Sequence, residues 1–358
     1  MFRIILLAVI SSLLYFTTSA QSILQWDKQT ADLGMILEEN GLVAVDFTFT
    51  NKGSEKLKIT EIIADCGCTT GEFTQDSVSI DAQGKVQVTF DPHNRPGEFS
   101  KMILVKNSTS AQADTLFITG QVLAMPVNVE RYYPIQIGFL RVRQKTIELG
   151  QVINNSRTTK NIEVYNASED SLAIDYTSVN FPSHVAVSFT PTKLAPKSRG
   201  FMTVAYDGAK KGELGFQQDL ISFKTSPDAG EYYQWPLVAY INEYFSPLSK
   251  KELAIAPKLK VSALEIELGN ISADQVVTKS LTLKNDGKQN LLFRKVETNC
   301  VCVTVSPTLD VLQPGEEIVI SISFDPKDRF GIDHKFITFF TNDPQMPTLT
   351  VTLKSTIQ

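Results

Sequence analysis

Residues 43–57 read VAVDFTFTNKGSEKL, and the first eight of them settle the kind of structure the chain forms. Val43, Val45, Phe47 and Phe49 alternate with Ala44, Asp46, Thr48 and Thr50. A period of two puts the apolar side chains on one face of a strand and the polar ones on the other. The following NKGSE (51–55) is turn chemistry, because Asn and Gly tolerate backbone angles that other residues avoid. The same alternation returns at Val86, Val88 and Phe90, at Ile318, Ile320, Ile322 and Phe324, and at Leu349, Val351 and Leu353.

The stretch has two echoes further along: IEVYNASEDSL (162–172) and LTLKNDGKQNL (281–291). Their asparagines, Asn51, Asn166 and Asn285, stand 115 and 119 residues apart. Gly34, Gly150 and Gly269 recur at intervals of 116 and 119 within ADLGMI, IELGQV and IELGNI. Asp91, Asp207 and Asp325 recur at 116 and 118 within VTFDP, VAYDG and ISFDP. Three landmarks in one order and at one period define an internal repeat. About seven short strands per copy, without a helical pattern, predict an all-β protein of three tandem immunoglobulin-like β-sandwiches. The expected boundaries are 21–125, 126–246 and 247–358. The joints AMPVNVERYYPIQ (124–136) and FSPLSKKELAIAPK (245–258) contain Pro and aromatic residues but no Gly, a stiff composition.

Residues 1–20 stand apart. Arg3, the apolar run IILLAVISSLLYF and the small residues TTSA have the form of a secretory signal peptide cut after Ala20. The mature chain is then expected in the periplasm, at the cell surface or outside the cell, with no transmembrane segment. The 358 residues carry 34 basic and 39 acidic side chains. That balance offers no electrostatic footprint for nucleic acid.

Against this frame the chemistry is sparse. His93, His184 and His334 fall one to a copy, and each reads as an exposed loop residue. The three recurring aspartates read as strand-end turn residues, not as a carboxylate constellation. With no converging nucleophile and base, no catalytic residue, no cofactor and no enzymatic turnover are expected. The four cysteines are Cys66 and Cys68 in IADCGCTTGEF, and Cys300 and Cys302 in ETNCVCVTVSP. Three readings stand for such pairs: small buried hydrophobes, a local disulfide across a bent backbone, or two thiolates for a soft ion such as Cu(I). Gly67 allows the bend at Cys66 and Cys68. Val301, a β-branched residue, predicts an extended Cys300–Cys302 segment that stays unbonded and fills core. Redox or metal chemistry is thus expected at Cys66 and Cys68 alone.

The ordered set F-x-F-x-N-x-G, D-C-G-C-T, V-x-F-D-P and P-G-E-F resembles the bacterial Cys-Gly-Cys domain of unknown function, within the Hydin and abnormal-spindle (ASH-type) immunoglobulin-like superfamily. The likeness rests on Asn51, Gly53, Cys66, Gly67, Cys68, Asp91, Pro92 and Gly97. It recurs at Asn285, Gly287, Cys300, Cys302, Asp325, Pro326 and Gly331, with Val301 in place of glycine, and is weakest in the middle copy. It implies an exported β-sandwich module without established catalytic residues. The expected role is a binding or scaffold protein that meets a protein or an envelope polymer through loops or strand edges. A periplasmic thiol-redox or Cu(I)-binding protein is the alternative.

Overall fold

The computed structural model describes residues 23–226 and 232–358, so the signal peptide read at 1–20 lies outside the described residues. The chain forms two compact units, Met1–Val127 and Asn128–Gln358. Strands dominate, and the described helices are single turns at Val129–Tyr132, Gly208–Lys211 and Lys250–Leu253. Two of these turns lie in the joints between copies.

The strands build six sheets around three buried clusters, one per sequence repeat. In the first unit, Val43–Asn51 and Gln83–Phe90 pair antiparallel and send Phe47, Phe49, Val86, Val88 and Phe90 into the core, each at most 1% exposed. Burying a Phe or Val side chain fully is worth about 1.5–3 kcal/mol, so these five side chains anchor the sheet. The facing sheet supplies Ile103, Val105, Leu116 and Ile118. In the third copy Ile320, Ile322 and Phe324 meet Val351 and Leu353 in the same way.

The repeated glycines explain how each copy closes. Gly34, Gly150 and Gly269 have φ of 66°, 75° and 71°, the left-handed region that glycine enters without penalty. Each sits where an early strand of a copy pairs parallel with the copy's last strand, and the register slips there by one residue. An added Cβ would meet nothing within 4 Å at any of the three, so backbone angle and not space selects glycine.

The repeated asparagines are pins. Asn51, Asn166 and Asn285 are fully buried. The Asn51 amide donates to the carbonyls of Glu55 and Val78 at 2.9 and 3.0 Å, and its oxygen accepts from the Gly53 N–H. Asn166 repeats this with Asp170, Leu194, Ala195 and Ser168. Asn285 repeats it with Gln289, Leu312 and Gly287. One side chain thereby satisfies backbone groups in a turn and in a second segment 27 or 28 residues away, groups that would be costly to bury unpaired.

Within the second unit the middle and third copies touch directly. Arg294 grips Glu243 through two bonds of 3.2 Å, Lys295 Nζ reaches the Leu214 carbonyl at 2.7 Å, and the Phe216 N–H donates to Glu297. The joint preceding the middle copy is fastened by Tyr133, whose buried hydroxyl donates to Glu163. Glu163 also pairs with the buried Arg199 at 2.7 Å. Burial and the Glu163 contact push the Tyr133 hydroxyl far above its ordinary value, so it stays protonated as a donor.

Candidate functional site at the Cys-X-Cys turns

Both cysteine pairs occupy the same turn. Ile59–Ala64 ends at the first and Thr69–Phe73 begins after it, and the two strands are edges of the two facing sheets. The turn therefore crosses the open side of the sandwich. In the third copy the crossing runs from Leu291–Thr298 to Val303–Ser306. Thr69 N–H donates to the Cys66 carbonyl at 3.2 Å, and Val303 N–H to that of Cys300 at 3.1 Å. Asp91 N–H then donates to the Cys68 carbonyl, and Asp325 N–H to that of Cys302, each at 2.9 Å.

Cys66 is bonded to Cys68, and Cys300 is bonded to Cys302. The second bond corrects the expectation that Val301 holds its neighbours extended and apart. Val301 is not in a strand; it is the almost fully exposed apex of a turn, 99% accessible. Flanking bonds set that turn, with Asn299 and Phe336 exchanging contacts on one side and Val303 closing it on the other. The Cα atoms come to 5.1 Å, against 5.2 Å at Cys66 and Cys68. Gly67 is not at positive φ either, and nothing lies within 4 Å of an added Cβ. The central residue is therefore not what bends either turn. Bonded sulfurs offer no thiolates, so a Cu(I) site at Cys66 and Cys68 would first require their reduction. Among the described residues no group of three or more His, Cys, Asp or Glu side chains is placed to hold a metal.

The middle copy makes the same turn with other residues. Val185 N–H donates to the Pro182 carbonyl and Asp207 N–H to the His184 carbonyl, both at 2.8 Å. Pro182 and His184 thus stand where the outer copies have their first and second cysteines. His184 is not an exposed loop residue. Its side chain is 9% accessible and its Nε2 lies 3.0 Å from Asp219 Oδ2. The Tyr206 hydroxyl donates to the same oxygen at 3.1 Å, and Lys211 reaches Oδ1 at 3.3 Å. Burial alone pushes the Asp219 carboxyl up. The bond and charge of His184, with Lys211 and Tyr206, outweigh it and hold the carboxyl below the usual range. Burial and the neighbouring Asp219 push the Tyr206 hydroxyl upward. His93 is an exposed loop residue as expected, whereas His334 is exposed but lies within the strand Gly331–Thr341, opposite Lys354.

A charge reversal accompanies this exchange. Gly97, Gly215 and Gly331, all at positive φ, open the strand that faces the turn in each copy. Four residues on stand Lys101, Asp219 and Lys335; two residues before stand Arg95, Glu213 and Arg329. Cations accompany the cysteines and carboxylates accompany the histidine.

The two disulfides differ in what touches them. At the first, the Thr69 hydroxyl lies 3.6 and 3.7 Å from the two sulfurs, while Arg95 turns away to Asp91 and the His93 carbonyl. An open pocket of about 630 Å³ lies over this turn, lined by Phe90, Arg95, Pro96, Glu98, Phe99 and Lys101. Phe90 and Phe99 stack at 4.3 Å to form its apolar wall. At the second, Arg329 Nη2 donates to Cys300 Sγ at 3.0 Å, and the Cys302 N–H donates to the same sulfur at 3.1 Å. Asp333 stands where the first copy has Phe99 and pairs with Arg329 and Lys335. The recurring aspartates act as read: Asp91 and Asp325 cap the turns at His93 and Lys327, and Asp207 caps a helical turn at Lys210.

The sequence profile of a protein family of unknown function, DUF1573, matches residues 24–122 and 259–357. The chain belongs to that family. The two DUF1573 segments are the copies that carry cysteines, and the Pro182–His184 turn lies between them. Among solved structures, a protein of unknown function from Porphyromonas gingivalis W83 is 17% identical, with a TM-score of 0.44 over 61% of this chain and 100% of that one. The human CEP192 ASH/PapD-like domain 7 is 15% identical, with a TM-score of 0.27 over 32% of this chain and 93% of that one. The titin I67–I69 segment is 13% identical, with a TM-score of 0.20 over 95% and 100%. No curated protein matches the chain. Among the described residues no helix is long and apolar enough to cross a membrane.

Proposed function

We propose that the protein is an exported, non-catalytic binding protein: three immunoglobulin-like modules at 21–125, 126–246 and 247–358, freed by removal of residues 1–20. The observation that carries this reading is the pocket over the Cys66–Cys68 turn. The half-buried Phe99, stacked on the core ring of Phe90 and set beside Arg95, Glu98 and Lys101, combines apolar contact area with directed charge, the usual make-up of a recognition site. Thr69–Phe73, at the margin of that site, is an edge strand able to accept an extended segment by β-addition. A protein segment or envelope polymer with an apolar group next to an anionic one fits both features.

A photo-crosslinking amino acid at Glu98 of the full chain, expressed in its native cell, tests this. The expected outcome is one discrete adduct, absent from a control with the same group at the exposed Asp76 and lost with Lys101→Glu. Equal labelling at both positions would overturn the reading.

A further inference from the structure

We propose that the Cys300–Cys302 disulfide is a thiol-exchange site in which Cys300 is the leaving thiolate and Cys302 the sulfur that receives the incoming thiol. Two donors converge on Cys300 Sγ, the Arg329 guanidinium at 3.0 Å and the Cys302 N–H at 3.1 Å. A disulfide sulfur is a weak acceptor, whereas a thiolate bearing full charge is a strong one, so both bonds strengthen when the S–S bond breaks in this direction. The charged groups around the site are Arg329, Asp333 and Lys335, with Asp325 at the end of the neighbouring strand and Glu297 directed to Lys295 and Phe216. Of these groups Arg329 is the one in contact with Cys300, while Lys335 and Arg329 share Asp333, Glu297 is taken up by Lys295 and Phe216, and Asp325 accepts from the Lys327 N–H. At Cys66 and Cys68 the donor to sulfur among the described residues is a neutral threonine hydroxyl.

The repeat strengthens the assignment. Where the turn carries His184, which gains positive charge on protonation, the same two positions carry Glu213 and Asp219. Where it carries cysteines, which take negative charge when reduced and left as thiolates, they carry Arg and Lys. The sign of the surrounding charge follows the charge that the turn residue can develop.

The co-reactant is a dithiol. Its first thiolate attacks Cys302 Sγ, the S–S bond breaks, and the bonding pair leaves on Cys300 beside Arg329. The second thiol of the dithiol, deprotonated, then attacks its own partner sulfur in the mixed disulfide and releases Cys302, which takes a proton from solvent. The dithiol is oxidised by two electrons and the Cys300–Cys302 pair is reduced by two. This inference is independent of binding at the first copy; loss of the Glu98 adduct leaves it standing.

The test uses the full mature chain. Reduced with dithiothreitol and pulsed with iodoacetamide across pH 5–10, Cys300 is expected to alkylate with a midpoint at least about one unit below those of Cys66, Cys68 and Cys302. Arg329→Gln should raise that midpoint by about one unit, and Arg329→Lys should restore most of the difference. Asp333→Asn, which removes the counter-charge, should lower it further and serves if Arg329→Gln fails to fold. Stoichiometric glutathione added to the oxidised chain should be found on Cys302 by peptide mapping. Four cysteines titrating together, or glutathione on Cys300, would overturn the proposal.

Discussion

The outer copies and the middle copy build one turn in two chemistries. Cys66–Cys68 and Cys300–Cys302 close it with a covalent bond among cations, whereas Pro182–His184 closes it with a buried contact to Asp219 among carboxylates. The backbone scheme is shared down to the carbonyls that accept from Val185 and Asp207. The turn is therefore specified by the sandwich around it, and its side chains are free to carry different chemistry. The outer pair differ again: one disulfide underlies a pocket, and the other has an arginine on its sulfur.

The sharpest way to break this comparison is to remove what all three copies share. Asn166→Ala deprives three backbone carbonyls and the Ser168 N–H of their buried partner. We expect a loss of about 3 kcal/mol, read as a lower denaturation midpoint of the Asn128–Gln358 unit. An unchanged midpoint would mean that the turns and not the pins hold the frame.

Next in size is the contact that replaces a disulfide. Asp219→Asn should cost about 2 kcal/mol near neutral pH, since it weakens bonds from His184, Tyr206 and Lys211 to a charged acceptor. The folded Asp219 carboxyl titrates below its unfolded value, so the unfolded chain binds more protons in the interval between them. Its contribution is fully present above about pH 4 and is lost as pH falls through the folded value. Urea melts from pH 3 to 7 should show this slope in the natural chain and a flatter one in the variant; parallel slopes would remove Asp219 from the account.

The smallest effect is expected at the residue on which the sequence reading leaned most. Gly67 has neither positive φ nor crowding. Gly67→Val should change stability by less than about 0.5 kcal/mol and leave Cys66 bonded to Cys68 in a non-reducing peptide map. Free thiols at both positions would restore the importance of glycine there.

These outcomes bear on what could be read from residues alone. Alternation such as Phe47 and Phe49 is a local signal, and it located strands, cores and the repeat. Gly34 and Asn51 were visible as landmarks, but their roles depend on a parallel partner strand and on carbonyls 27 residues away. Val301 misled because strand propensity was applied to a residue whose conformation is set by bonds across to Phe336 and Val303. His184 misled because its partner lies 35 residues on, across the sandwich. The arginine on Cys300 was equally hidden, since Arg329 reaches it from 29 residues away.

The parallel pairing of an early strand with the last strand governs how each copy bears a pull. Thr30–Leu37 runs alongside Asp114–Leu123 in the same direction, as do Ile147–Ile153 beside Tyr233–Asn242 and Glu265–Ile271 beside Thr348–Ile357. In each copy this early strand therefore starts at one end of the sandwich and the last strand finishes at the other. Tension between those ends acts along the ladder, so its hydrogen bonds share the load in shear instead of opening one after another. The glycine bulge interrupts each ladder partway and divides it into two short load-bearing patches. Every copy thus places its one break in this parallel ladder at the same repeated glycine, Gly34, Gly150 or Gly269.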